Sequence, residues 1–302
     1  MCGIVGLHLK NPDLQPRLGE LLSVMLEAMT TRGPDSAGIA VYADPAGSPG
    51  ARESLQYSLR SETGADWELL GKAIAADTDS EVRVRRLGRD SAVLESGADE
   101  ALFLAAVRRA APDVTVVGYG HSMVLVKDVG APADICARYG IPGWSGYQGS
   151  GHTRMATESA VTTAHSHPFA PAADLALVHN GSFSNYASVR RQLAADGIRF
   201  DTDNDSEVAA RYIAIQMAAG ADLTDALRGV MKVFDGFFTL LVAAERSLAI
   251  VRDSFACKPM VVAETADYVA VASEYVALAD LPGVDKAQVF EPMPQEIYRW
   301  QV

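Results

Sequence analysis

The sequence predicts an α+β chain in which two sheets carry helices packed over them. Three observations predict it: short apolar runs without helical spacing open the chain, three helical patterns follow one another past its midpoint, and five short runs rich in Val and aromatics come after those. The 302 residues make one large domain or two small ones, and with 49% hydrophobic against 21% charged side chains the composition is that of a packed globular chain rather than a disordered one.

Taken in order, MCGIVGLHL reads as a buried strand, because Ile4, Val5 and Leu7 sit between glycines. Leu18, Leu21, Leu22, Met25, Leu26 and Met29 recur at three- and four-residue steps and predict a helix that stops before Gly33-Pro34. Residues 37–43 read as a second buried strand, and the Pro-, Gly- and Ser-rich stretch at 44–50 as a break. The texture then changes. Within about 51–149, residues 81–87 read as a half-exposed strand, 99–111 as a helix, 114–119 as a strand and 132–139 as a helix, which together suggest a small α/β insertion into a domain spanning 2–302. A glycine-rich loop from Gly140 leads to a strand at GHTRMAT, and residues 175–179 form another that ends at HNG. Helices are expected at about 184–196, 206–219 and 222–234, then strands joined by tight turns at 237–244, 248–251, 260–263, 268–272 and 297–300.

Charge and cysteine usage narrow the function. A net charge of −12 repels phosphate backbones and anionic lipid, and no basic cluster interleaves with aromatics, so neither nucleic acid nor membrane is expected as a partner. Cys2, Cys136 and Cys257 form no CxxC pair, and the start lacks a basic region followed by an apolar core, so a reducing cytoplasm is expected. His152, His165, His167 and His179 follow no familiar ligand spacing; satisfied structural roles, not a metal, are expected for them, and Cys136 and Cys257 read as small buried hydrophobes.

Cys2 carries the sharpest chemistry. Removal of Met1 would leave a thiol and an α-amine on one residue, and that amine, with a reference pKa of roughly 7.7–8.0, can take the thiol proton at neutral pH. Read alone, a cysteine here is as well explained by a buried strand, and HNG by a simple turn. The order MCGIVG, RGPDSAG (32–38), GHTRMAT (151–157), HSHPF (165–169), HNG (179–181) and DSE (205–207) resembles class II glutamine amidotransferases, with RD (252–253), KP (258–259) and SE (273–274) similar to the family's later markers. The 51–149 segment lies outside the match.

The resemblance implies an N-terminal-nucleophile hydrolase fold, a four-layer αββα sandwich of two mainly antiparallel sheets. It implies Cys2 as nucleophile, Asn180 and the Gly181 N–H as oxyanion donors, and Arg32, Arg154, His179 and Asp205 at the glutamine pocket, with no metal. The zwitterionic head of glutamine calls for one fixed cation and one fixed anion, which Arg154 and Asp205 would supply. Met155 stands where several relatives carry an aromatic, a departure that bears on the pocket wall or on coupling to a partner. No phosphate loop or dinucleotide fingerprint marks a synthase domain. The pattern looks most like the amidotransferase-like subunit of N-methylglutamate synthase or a split glutamate synthase, which implies a hetero-oligomeric complex whose synthase subunits hold flavin and iron–sulfur clusters, with no cofactor in this chain. A stand-alone γ-glutamyl hydrolase and a catalytically silent regulatory or scaffold subunit are the alternatives.

Overall fold

A computed structural model describes residues 2–44, 54–155 and 161–301. In chain order, β1 (Gly3–Leu9), α1 (Leu18–Ala28) and β2 (Ser36–Tyr42) precede a block made of β3 (Leu55–Ser61), α2 (Trp67–Thr78), β4 (Val82–Arg86), β5 (Ser91–Ser96), α3 (Glu100–Ala110) and β6 (Val114–Gly120). There follow β7 (Met123–Val129), α4 (Pro132–Tyr139), β8 (Gln148–Arg154), β9 (Phe169–Ala172), β10 (Leu175–Phe183), α5 (Tyr186–Ala195), α6 (Asp205–Ala218) and α7 (Leu223–Val233). The chain closes with β11 (Gly236–Ala244), β12 (Ser247–Arg252), β13 (Val261–Glu264), β14 (Tyr268–Ala272), β15 (Gln288–Phe290) and β16 (Ile297–Gln301).

The strand period of two sorts the apolar side chains into layers. Val5, Leu7 and Leu9 of β1 and Ile39 and Val41 of β2 face α1 and α4. Ile4, Ala40 and Tyr42 face the opposite way, into a core shared with Ala176, Val178, Leu241 and Ala243 of the second sheet. Leu175, Leu177, Leu240 and Val242 then face α6 and α7. Helix, sheet, sheet and helix thus stack in four layers. The first sheet runs β15-β13-β14-β1-β8-β2-β7 and the second β16-β12-β11-β10-β9, with every neighbouring pair antiparallel. The expected α+β sandwich of antiparallel sheets is the observed one.

The block from β3 to β6 makes a third antiparallel sheet, β4-β5-β3-β6, with its own core of Tyr57, Leu59, Trp67, Leu70, Ile74, Phe103 and Val107. Its helices start where Asp66 and Asp99 accept the Leu69 and Leu102 N–H groups, each at 3.1 Å. β7 and α4, by contrast, belong to the first sheet and its core. The third sheet is tied back at its exit: the buried Asp174 carboxylate accepts from the His121, Ser122 and Met123 N–H groups at 2.9–3.0 Å and from the Ser122 hydroxyl at 2.9 Å.

Two elements end differently from the sequence reading. The strand expected to finish at HNG continues as β10 to Phe183, held by β11 in register through Phe183↔Gly236. Asn180 and Gly181 are therefore inside a ladder, not beyond a strand end. GHTRMAT is strand only to Arg154, and residues 156–160 lie outside the described part, as do 45–50 of the expected break.

Candidate functional site

The start of β1 is where the predicted residues meet. The half-buried Cys2 presents its carbonyl oxygen to two donors: Arg32 Nε at 3.0 Å and Asn180 Nδ2 at 3.1 Å. Arg32 comes from the turn after α1, and its guanidinium, 7% exposed, also pairs with Glu274. The next residue but one is fixed as well, since the Ile4 N–H donates to Ser273 Oγ at 3.0 Å and the Ser273 N–H returns to the Ile4 carbonyl at 2.9 Å. Ser273 and Glu274, the SE pair similar to one of the family's later markers, thus hold Ile4 and Arg32, the residues that flank and fix the nucleophile candidate. Gly33 makes this approach feasible, because a Cβ there would lie 2.4–2.5 Å from the Thr153–Arg154 peptide.

β10 supplies the opposite wall. Gly181 has φ +146°, and a Cβ on it would meet the Phe237 carbonyl oxygen at 1.9 Å, so the position admits only glycine. Phe238, opposite Gly181, turns its N–H to Asp253 Oδ2 and its C=O to the Asp253 N–H, away from β10. In an antiparallel ladder this sets the Gly181 amide toward the other edge of β10, where β9 pairs only as far as Leu177↔Phe169.

A second cluster adjoins it through His179, the neighbour of Asn180. His179 Nδ1 lies 2.7 Å from Ser206 Oγ, which is 3.2 Å from Asp205 Oδ1, while Asp205 Oδ2 accepts the Phe183 N–H at 2.8 Å. With Ser206 donating to the carboxylate, the network assigns the His179 proton to Nδ1. Burial, countered by Asp205 and reinforced by Lys258, holds this imidazole below its usual range. The Asn204 side chain caps α6, so Asp205 occupies its first turn, where a carboxylate is favoured by the exposed N–H groups. Ser206 was missed by the sequence reading although it is the middle letter of DSE. The last letter, Glu207, is turned away and saturated by the Asp201 and Thr202 N–H groups, the Thr202 hydroxyl and Arg211. Arg154 is buried at the end of β8, beside His152 and His167.

Three histidines line the interior behind these groups. The His152 and His167 rings stand 4.3 Å apart and His167 and His179 6.3 Å. Satisfied structural roles were expected, but neither ring nitrogen of His167 has a hydrogen-bond partner among the described residues; ring contacts to His152 and Phe169 hold it instead. His165 does find partners, in Thr162 and Asp203. Burial drives His152 down to about 3 and His167 well below 6.5. Both stay neutral in the folded chain where the unfolded chain would protonate them, so the stability they contribute is complete above about pH 6.5 and is lost as pH falls below it, for His152 down to about 3. The expected slope is roughly 1 kcal/mol per pH unit for each imidazole. Urea midpoints measured at pH 7.5 and pH 5 check this, and equal midpoints would contradict it. Cys136 is buried as expected, whereas Cys257 is exposed, in the segment after β12 where Asp253 rather than a tight turn shapes the chain. No group of three or more His, Cys, Asp or Glu able to hold a metal occurs among the described residues, and no helix there is long and apolar enough to cross a membrane.

Similarity to known proteins defines the class and then the family. Over 99% of its length the chain superposes on B. subtilis glutamine phosphoribosylpyrophosphate amidotransferase with a TM-score of 0.63 at 18% identity, and it spans about half (47%) of that protein, so the shared part is the fold of N-terminal-nucleophile hydrolases. Residues 144–300 match the family model described as a glutamine amidotransferase domain. The chain is 46% identical to the glutamine amidotransferase-like protein GlxB of Rhizobium meliloti over 99% of this chain and 98% of that one. It is also 41% identical over 33% of its length to the glutamine–fructose-6-phosphate aminotransferase of Mycolicibacterium paratuberculosis, 16% of that protein. The chain belongs to the glutamine amidotransferase family, as a class II enzyme.

Proposed function

We propose that the chain is the glutaminase subunit of a synthase complex, hydrolysing glutamine through a Cys2 thioester and passing the ammonia to a separate subunit. The observation that carries the reading is the convergence of Arg32 and Asn180 on the Cys2 carbonyl, which fixes the backbone of the one residue that can be both nucleophile and base. With Met1 removed, the Cys2 amine takes the thiol proton as sulfur bonds to the glutamine amide carbon. Charge then develops on the former carbonyl oxygen. The Gly181 N–H, set toward the free edge of β10, and the second N–H of the Asn180 amide are the donors to it. Collapse of the adduct breaks the carbon–nitrogen bond, the amine returns the proton, and ammonia leaves. Water adds to the thioester, releasing glutamate and restoring the thiol.

Arg154 is assigned to the α-carboxylate and Asp205 to the α-ammonium. The Ser206–His179 contact supports the second assignment, since it fixes the Ser206 hydroxyl that holds one Asp205 oxygen, while the Phe183 N–H holds the other. Arg32 and His179 act as positioning residues, through Cys2 and Ser206. The similarity to GlxB over nearly the whole of both chains supports the amidotransferase part of this reading. The order of the sequence motifs is what points to an acceptor subunit of the N-methylglutamate synthase or split glutamate synthase type, holding the flavin and iron–sulfur chemistry itself.

Treatment with the electrophilic glutamine analogue 6-diazo-5-oxo-L-norleucine, followed by peptide mass mapping, tests the site. One adduct, on Cys2 of a chain lacking Met1 and suppressed by excess glutamine, is expected. An unmodified Cys2 in a chain that keeps Met1 would replace this reading with that of a silent scaffold.

A further inference from the structure

A cavity of about 850 Å³ lies away from the Cys2 cluster, between the third sheet and the sandwich, walled by β6, β7, β9, the 161–165 loop and the start of α6. Its floor is Lys127. This lysine is 6% exposed, in the middle of β7, and forms no hydrogen bond or ion pair among the described residues; its ammonium nitrogen sits 4.7 Å from the centre of the Phe169 ring. An ammonium buried without a counter-ion costs several kcal/mol unless a partner arrives or the proton leaves.

The fixed carboxylates around the cavity are committed elsewhere. Glu207 is saturated as described, Asp201 pairs with Arg211, and Glu62 takes the Thr163 hydroxyl and stands 3.9 Å from Arg60. Among the described residues the other basic groups facing the space are Arg60, itself paired with Asp128, Arg211, paired with Asp201 and Glu207, and Arg108, with His165 on the loop and His167 beside Lys127. Between them the wall is apolar, from Val114, Val116, Val129, Ala170 and Pro171. A cation at the bottom of a largely apolar cavity recognises a molecule with the converse layout.

We propose that this cavity is a second ligand site, taking a small carboxylate with an apolar body whose carboxylate pairs with Lys127. Such a ligand would touch the 161–165 loop and the first two turns of α6, through Glu207 and Arg211. Burial, opposed by Glu207 and Asp201, brings the empty-site ammonium down to about 7, and an incoming carboxylate raises it again by taking the place of lost water.

The test titrates 4-phenylbutyrate and its uncharged counterpart 4-phenylbutyramide into the full chain by calorimetry. At pH 7 the carboxylate is expected to bind at least tenfold more tightly than the amide. Above pH 8 its affinity should fall roughly tenfold per pH unit, because binding then requires uptake of the Lys127 proton. Lys127→Met should erase the preference for the carboxylate, and Val116→Trp, which fills the cavity from the facing strand, should weaken both probes. Equal affinity for the two probes, no binding of either, or a flat profile between pH 7 and 9 in the unmodified chain would each overturn the proposal, whatever the variants do.

Discussion

Cys2→Ala is expected to abolish glutamine hydrolysis, with kcat lowered about 10⁴-fold or more, the scale seen when a covalent nucleophile is removed. The geometry explains why the loss should be chemical and not structural. Both hydrogen bonds that fix this residue fall on its backbone carbonyl, from Arg32 and Asn180, and alanine keeps them. Glutamine binding and the unfolding midpoint should therefore stay near those of the unmodified chain. Steady-state ammonia release, together with glutamine titration of the variant, separates the two effects. Retained turnover would remove Cys2 from the reaction, whereas loss of glutamine binding would mean that the thiol shapes the pocket.

The second large effect is expected at Gly181. Alanine there must leave φ +146° and must also move its Cβ out of the Phe237 carbonyl, which sits 1.9 Å from the ideal position. Strained backbone and a backbone clash together should cost about 3 kcal/mol or more. Relaxation would rotate the amide that is set toward the free edge of β10, so kcat should fall about 10²–10³-fold even in the fraction that stays folded. Urea denaturation and kcat on the same preparation test this. A variant with an unchanged midpoint and unchanged kcat would show that the β10 backbone is neither strained nor aimed.

The contrast between Gly181 and Lys127 shows what sequence patterning could reveal. Strands buried on both faces, such as β1, β2 and β11, read as plain apolar runs and were legible, as was the helical stripe of α1. β7 was not, because Lys127 and Asp128 interrupt its run with charges that only the fold explains: Asp128 accepts from Arg60, Arg138 and Tyr139, residues supplied by β3 and α4. β3 was hidden for the same reason by Ser58, Arg60 and Ser61, all buried. At the site, the residue types were legible from ordered motifs. Their partners were not, since Ser273, Glu274 and Ser206 meet Ile4, Arg32 and His179 from positions far away in sequence. Cys257 misled because exposure is decided by the loop that carries it.

The pairing of β2 with β7 bears on the order in which the chain can fold. Tyr42 faces Met123 and the Ala43 N–H reaches the Ser122 carbonyl, so these strands meet as a hairpin although they lie about eighty positions apart. Closing so long a loop costs about 2–3 kcal/mol more than closing a tight turn. If the β3–β6 block forms first it takes that closure on itself, because the Gln56↔Gly120 pairing at its ends then brings Tyr42 and Met123 together. A peripheral sheet would in that case be the nucleus that lets the central one close, and slowing its formation would slow assembly of the catalytic layers, although it supplies none of the residues gathered at Cys2.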